Sequence, residues 1–196
     1  MALDRDIEFF YEIASLRNVP RGWRQHLGLD CASVLEHTLR VIFIALSLAK
    51  KEGVEDTGKI IKMALVHDLD ETRISDLSYV QKVYVEGDEE RAFTDMFGGT
   101  SFEEFVEINK EYTKRESLES KIVKDADNLD IDFELKELDQ KGSKLPGKFV
   151  TLRKDLRDKK LYTKSAKHLW DKIQESDPDA WHLKNNKYLK IPTAGL

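Results

Sequence analysis

The chain has 196 residues, 40% hydrophobic and 35% charged, which is enough for one domain with a sizeable core. Its net charge of −5 offers no general attraction to nucleic acid or to an anionic membrane, so an anionic ligand has to be held by local groups. The single cysteine, Cys31, excludes an intrachain disulfide and a CxxC zinc site.

The first helix is predicted over residues 4–16, where Ile7, Phe9, Phe10, Ile13 and Leu16 recur at helical spacing. The N-terminus lacks the charged start and apolar run of a secretory leader. Pro20 and Gly22 mark a loop that carries Trp23. Ser33, with Glu36 three residues on, reads as a capping box opening a strongly apolar helix to about Lys51, ended by Gly53. Its longest apolar stretch, Val41 to Ala49, is about half of the roughly 20 residues a membrane helix needs, and with the lone cysteine this points to a cytoplasmic protein. Another apolar helix runs from near Thr57 to His67. Gly87, Gly98 and Gly99 break the next region into short helices around 89–97 and 101–114, and residues 80–100 are a candidate cover over a site. Ser117 opens a long helix to about Leu138. Residues 141–148 read as a loop, 149–175 as a last helix or pair, and the tail packs through Trp181 and Tyr188. Period-2 alternation, repeats and low-complexity tracts are lacking, so the expected class is all-α, a single domain over 1–196.

Chemistry concentrates in three segments. His67-Asp68 closes one helix, His37 lies thirty residues upstream, and an aspartate from the run 124–132 lies downstream. Two imidazoles and two carboxylates suit one divalent ion: Zn, Mn, Co, Ni or Fe, with Mg as a further candidate. Adjacent residues differ by about 100° around a helix, yet both reach one ion at a helix end. Glu71 follows His67 by four residues on the same face, placed to touch metal-bound water without being a ligand. The run 124–132 offers Asp125, Asp127, Asp130 and Asp132. A helical wheel with Ile122, Val123, Ala126, Leu129 and Phe133 inward sets Asp130 nearer the apolar centre than Asp127, so periodicity alone favours Asp130.

Taken together, Glu36-His37, His67-Asp68-Leu69-Asp70-Glu71, Asp76 and Lys124-Asp125-Ala126-Asp127 resemble the HD-domain metal-dependent phosphohydrolases. The nearest resemblance is to the branch holding bacterial 5'-deoxynucleotidases and oxetanocin-related proteins. It covers roughly residues 10 to 140, leaving a C-terminal helical extension of about 149–190. The resemblance implies an HD-type helical bundle with His37, His67, Asp68 and Asp127 as metal ligands. It also implies Glu71 and Asp76 as acid/base residues and Trp23 packing against the nucleoside. Three positions depart from the pattern. Ala32 replaces a glutamate, Ser75 replaces the glycine before Asp76, and the family's phosphate-binding arginine falls on Gly22, flanked by Arg21 and Arg24. Those two arginines become the candidates for gripping phosphate. No histidine lies between Asp68 and Asp127, which argues for a one-metal centre and against two-metal cyclic-dinucleotide hydrolysis.

The expected activity is hydrolysis of nucleoside 5'-monophosphates, 2'-deoxynucleotides foremost, to nucleoside and phosphate. The alternatives are dNTP triphosphohydrolysis and a non-catalytic nucleotide sensor. The expected partners are a small-molecule nucleotide and a second copy of the chain, with no nucleic acid and no membrane; a third alternative is a structural interaction protein with helix 34–49 as its dimer face. Gly142 to Lys148 is no phosphate loop, because Phe149 stands where the motif needs Ser or Thr and a charged helix precedes it.

Overall fold

The computed structural model describes residues 2–27 and 31–183, and among them the chain is all-α, with an isolated bridge between Pro20 and Ser33 in place of any strand. The expected packing of Tyr188 and the end of the extension near 190 lie outside the described residues. In chain order the helices are α1 (Ala2–Ala14), α2 (Arg24–Leu27), α3 (Val34–Lys51), α4 (Thr57–Val66), α5 (Glu71–Ile74), α6 (Glu89–Phe97), α7 (Phe105–Lys114), α8 (Leu118–Gln140), α9 (Pro146–Lys159), α10 (Lys164–Glu175) and α11 (Ala180–Leu183). Short 3₁₀ turns cover Ser15–Asn18 and Gln81–Val83. No helix among these is long and apolar enough to cross a membrane.

Local chemistry sets the boundaries. The Ser33 hydroxyl accepts the Glu36 N–H at 3.3 Å, and the Glu36 carboxylate accepts the Ser33 N–H at 2.6 Å, a complete capping box. At the other end of α3, Gly53 takes φ +73° and the Val54 N–H returns to the Ala49 carbonyl, the hydrogen-bond pattern of a Schellman stop. The same device closes α8 through Gly142 at φ +83°. The segment expected as a loop up to 148 is already helical from Pro146, whose fixed φ suits a first turn and whose missing N–H costs nothing there.

Two apolar clusters form the interior. One joins Val41, Leu48, Met63, Ile122 and Leu129 with Ile173 of α10. The other joins Phe9, Leu16, Val34, Val66, Phe93 and Phe97. Both α3 and α4 cross from one cluster to the other, and His37 and His67 fall at the crossing. Phe93 and Phe97 stack at 4.6 Å inside the second cluster, so the 89–97 half of the candidate cover is anchored in the core rather than free to lift.

The four aspartates of the α8 run are divided among the start of α10, α9 and α3. Asp125 accepts from the Tyr162 and Thr163 N–H groups, each at 2.8 Å, and from the Thr163 hydroxyl at 2.7 Å, fastening the start of α10 to α8. Asp132 receives the Arg153 guanidinium at 3.0 and 2.6 Å, tying α9 to the same helix. Asp127 and Asp130 turn toward α3. A helix buried on several faces needs no apolar stripe, which is why α8 reads as weakly amphipathic.

Candidate metal centre between two cavities

His37 enters from the second turn of α3 and is buried. Its Nδ1 lies 2.6 Å from Asp130 Oδ2. His67 caps the C-terminal end of α4, and its Nδ1 lies 2.8 Å from the Ala64 carbonyl. A carbonyl only accepts, so Nδ1 of His67 carries the proton and Nε2 is left as a lone pair when the ring is neutral. The same reasoning applies to His37 against the Asp130 carboxylate. The two Nε2 atoms then face each other at 3.3 Å.

Two carboxylates close the same point. Asp68 Oδ2 is 3.3 Å from His37 Nε2 and 3.1 Å from His67 Nε2, and Asp127 Oδ1 is 3.3 Å from His37 Nε2. With both rings neutral, as metal ligation requires, four electron-rich groups converge here and repel one another unless a cation sits among them. All four ligand atoms lie within 4.8 Å of one another. Ligands at about 2.1 Å from one ion stand about 3.0 Å apart at right angles and about 3.4 Å apart in a tetrahedron, and the four separations just given, 3.1 to 3.3 Å, fall in that interval. The donor set therefore fits one divalent ion of the first transition row. Periodicity favoured Asp130 and the resemblance favoured Asp127. The structure brings both to His37, on opposite ring nitrogens, with Asp130 in the position of an orienting partner.

Protonation follows from this crowding. For Asp68, burial opposes ionisation, but His67 and His37 outweigh it and hold the carboxyl below its usual range. Asp127 is held well below its usual range too: burial opposes ionisation, but Lys124, whose ammonium lies 2.6 Å away, and His37 prevail. Burial also opposes charge on His37, but hydrogen bonds to Asp127, Asp130 and Asp68 prevail, and the ring holds its proton well above the ordinary histidine range. Glu71 goes the other way. Burial, then Asp68 and Asp76, push its carboxyl up to about 10, and its Oε2 is enclosed with no hydrogen-bond partner. Asp70, buried beside Asp68 and Glu89, is pushed up to about 7.

The loop of Arg21 and Trp23 packs against the loop of Asp76. Asp76 Oδ2 accepts the Gly22 N–H at 2.9 Å and lies 3.3 Å from Arg21 Nη1, which is also 3.6 Å from Asp68 Oδ2. A Cβ at Gly22 would stand 2.7 Å from the Asp76 carbonyl and 2.8 Å from the Ser78 nitrogen. No side chain fits where the family's arginine was expected, and Arg21 reaches the cluster instead. Arg24, the other candidate, is exposed at the start of α2 and lines a separate cavity with Arg17, Glu36 and Arg40. Ser75, another of the departures, holds φ +67° and ψ 157°, a conformation essentially reserved for glycine, so the chain is strained immediately before Asp76.

Two cavities meet at the cluster. One, of about 240 Å³, is lined by Arg21, Trp23, His26, Tyr79 and Asn128, with Asp68, Glu71, Asp76 and Asp127 at its floor. Trp23 stands edge-on to Phe149 at 5.2 Å and near Tyr79 at 6.1 Å, and His26 packs on Tyr79 at 5.0 Å. The other, of about 600 Å³, opens toward α6 and α7 and shares Asp68, Glu71, Lys82 and Lys124 with the first. Sequence reasoning missed His26, Tyr79, Lys82 and Phe149, which carry no spacing signal because loops and distant helices deliver them. Lys124 had a signal, three residues before Asp127 on one helical face.

Comparison with known proteins agrees with this geometry. The family described as HD domain matches residues 13–175. That span extends past the 10 to 140 expected, through the α9–α10 pair that Asp132 and Asp125 fasten to α8. A Dictyostelium discoideum protein, "5'-deoxynucleotidase HDDC2", is 30% identical over 156 residues, 72% of this chain and 82% of its own length. Its Danio rerio namesake is 29% identical over 159 residues, covering 76% and 78%. A conserved hypothetical protein from Pyrococcus furiosus superposes with a TM-score of 0.73 at 31% identity, over 87% of this chain and 99% of that one. With a family match spanning most of its length, this chain belongs to the HD-domain family.

Proposed function

We propose that the chain, read as one HD domain, is a metal-dependent phosphomonoesterase that converts nucleoside 5'-monophosphates, 2'-deoxynucleotides foremost, to nucleoside and phosphate. The observation that carries this reading is the four-ligand cluster, all within 4.8 Å, beside the unpartnered Glu71 carboxyl. The names of the Dictyostelium and Danio relatives support the same substrate class.

His37, His67, Asp68 and Asp127 would hold one divalent ion, with Asp130 and the Ala64 carbonyl fixing the two imidazoles. When bound, the ion supplies Lewis acidity, neutralising phosphoryl charge and acidifying water. Glu71 takes the proton-transfer role, because a carboxyl held in its acid form can protonate the departing 5'-oxygen. Asp76 takes a holding role, since the Gly22 N–H and Arg21 already occupy it. Arg21 grips phosphate as a guanidinium does, and Trp23 borders the sugar and base in the smaller cavity.

The net charge of −5 favours a small nucleotide over nucleic acid, and the lone cysteine favours the cytoplasm. A homodimer is part of the reading. Leu35, Leu39 and Phe43 form a four-residue-spaced stripe on α3 with exposures of 46%, 60% and 66%, a face that a second copy would cover.

The test is a substrate panel on protein loaded with Mn, Co, Zn, Ni or Mg, using deoxy- and ribonucleoside mono-, di- and triphosphates. Free phosphate from monophosphates is expected. Pyrophosphate or triphosphate release, or nucleotide binding without turnover, would overturn the reading.

A further inference from the structure

Several helices are followed by a residue with positive φ. Glycine serves for α3 and α8, at Gly53 and Gly142, but α7 ends on Arg115, with φ +56° and ψ 29°. An arginine there carries a conformational cost that glycine would not. The cost is met where the side chain lands. Its guanidinium carbon lies 3.2 Å from the centre of the Tyr112 ring, and Tyr112 stands edge-on to His67 at 5.8 Å. Arg115, Tyr112, His67, Asp68 and Lys124 line the same larger cavity.

The Arg115 guanidinium is unlike that of Arg21. Arg21 is held between two carboxylates, Asp76 and Asp68. Arg115 rests on a ring instead, forms no salt bridge among the described residues, and keeps its Nη1 enclosed with no hydrogen-bond partner. A flat fork, pre-oriented by the Tyr112 ring and hydroxyl and with its Nη1 unspent, matches the oxygens of a phosphoryl group. Tyr112 is a neutral surface for it to rest on, because burial and the nearby Asp127 and Asp68 keep the phenol from ionising. The α6 side of the cavity is acidic, with Asp88, Glu89 and Glu90, so an anion entering is directed to the Arg115–Lys124 wall.

We propose that Arg115 is a phosphate-binding residue, gripping the monoester from the α7 side of the metal cluster while Arg21 meets it from the loop side. This rests on the phosphohydrolase reading for its biological meaning, but the contact can be measured without turnover.

The experiment is equilibrium dialysis of inorganic phosphate against manganese-loaded wild type, Arg115→Gly and Arg115→Lys. Glycine suits the left-handed backbone, so Arg115→Gly is expected to keep fold and metal content. Loss of a charge-assisted contact should weaken phosphate binding about tenfold to a hundredfold. Arg115→Lys keeps a charge and a stem over Tyr112 but loses the fork, and should fall between the two; it also serves should the glycine variant not fold. With a deoxynucleoside monophosphate, KM should rise more than kcat falls. Unchanged phosphate affinity in both variants, or no phosphate binding by wild type, would overturn the proposal. Arg115-dependent phosphate binding in a wild type that hydrolyses no monophosphate would overturn the enzymatic reading and leave this one standing.

Discussion

The two sides of the centre are built by different means. On one side α3, α4 and α8 carry His37, His67, Asp127 and Asp130 across the junction of two apolar clusters, and packing fixes them. On the other side the loops around 20–23 and 75–79 carry Arg21, Trp23 and Asp76, and backbone exceptions fix them: a Gly22 with no room for a Cβ and a strained Ser75. On the proposed reading, the helical side would hold the ion and the loop side would present the phosphate to it.

Substitutions should separate the two. Asp68→Asn or His67→Ala breaks the helical side at its centre and should strip the metal and abolish turnover. Metal analysis of purified protein checks this, and full metal content would refute the ligand assignment. Glu71→Gln lies at the junction. It should keep metal and lower kcat by about 10²–10⁴, and it should remove the alkaline limb of the pH profile that loss of the Glu71 proton creates. Asp130→Asn frees the His37 ring without removing a ligand, so metal affinity should fall about 10- to 100-fold, read by competition with a chelator.

A milder break uses pH. Without metal, Glu71 and His37 both bind protons more tightly folded than unfolded. Unfolding therefore releases protons, and the ion-free protein should lose stability as pH rises from about 5 toward 9. Melting curves in chelator should show this fall, and added divalent ion should flatten it. The smallest effect belongs to the loop side. Ser75→Gly relieves the strained backbone and should raise stability by about 1 kcal/mol, roughly 2–4 °C in melting temperature, while metal content stays unchanged. A lower melting temperature would mean that Ser75 contributes a contact worth more than its strain.

Helix identity was readable because capping and periodicity are local. Ser33 and Glu36 announce α3, and Ser117 announces α8, to within a residue or two. The candidate ligand set was readable only through combination: His37, His67-Asp68 and Asp127 are unremarkable singly, and the wheel of α8 pointed to Asp130. That reading was incomplete rather than misplaced, since both aspartates reach His37. Arg21 and Arg24 could not be told apart in the sequence, because neighbours of Gly22 look equivalent until the fold sets one beside Asp68 and Asp76 and the other in a separate cavity.

By itself, then, the order of residues determined where helices begin and end, which faces are apolar and which residue types could bind an ion, because these depend on contacts a few positions apart. Only the tertiary structure decided which carboxylate meets which imidazole nitrogen, that Arg21 rather than Arg24 faces the cluster, and that Arg115 lies on Tyr112 beside His67. Those pairings join segments as much as ninety residues apart, and their energies depend on burial, which no local pattern specifies.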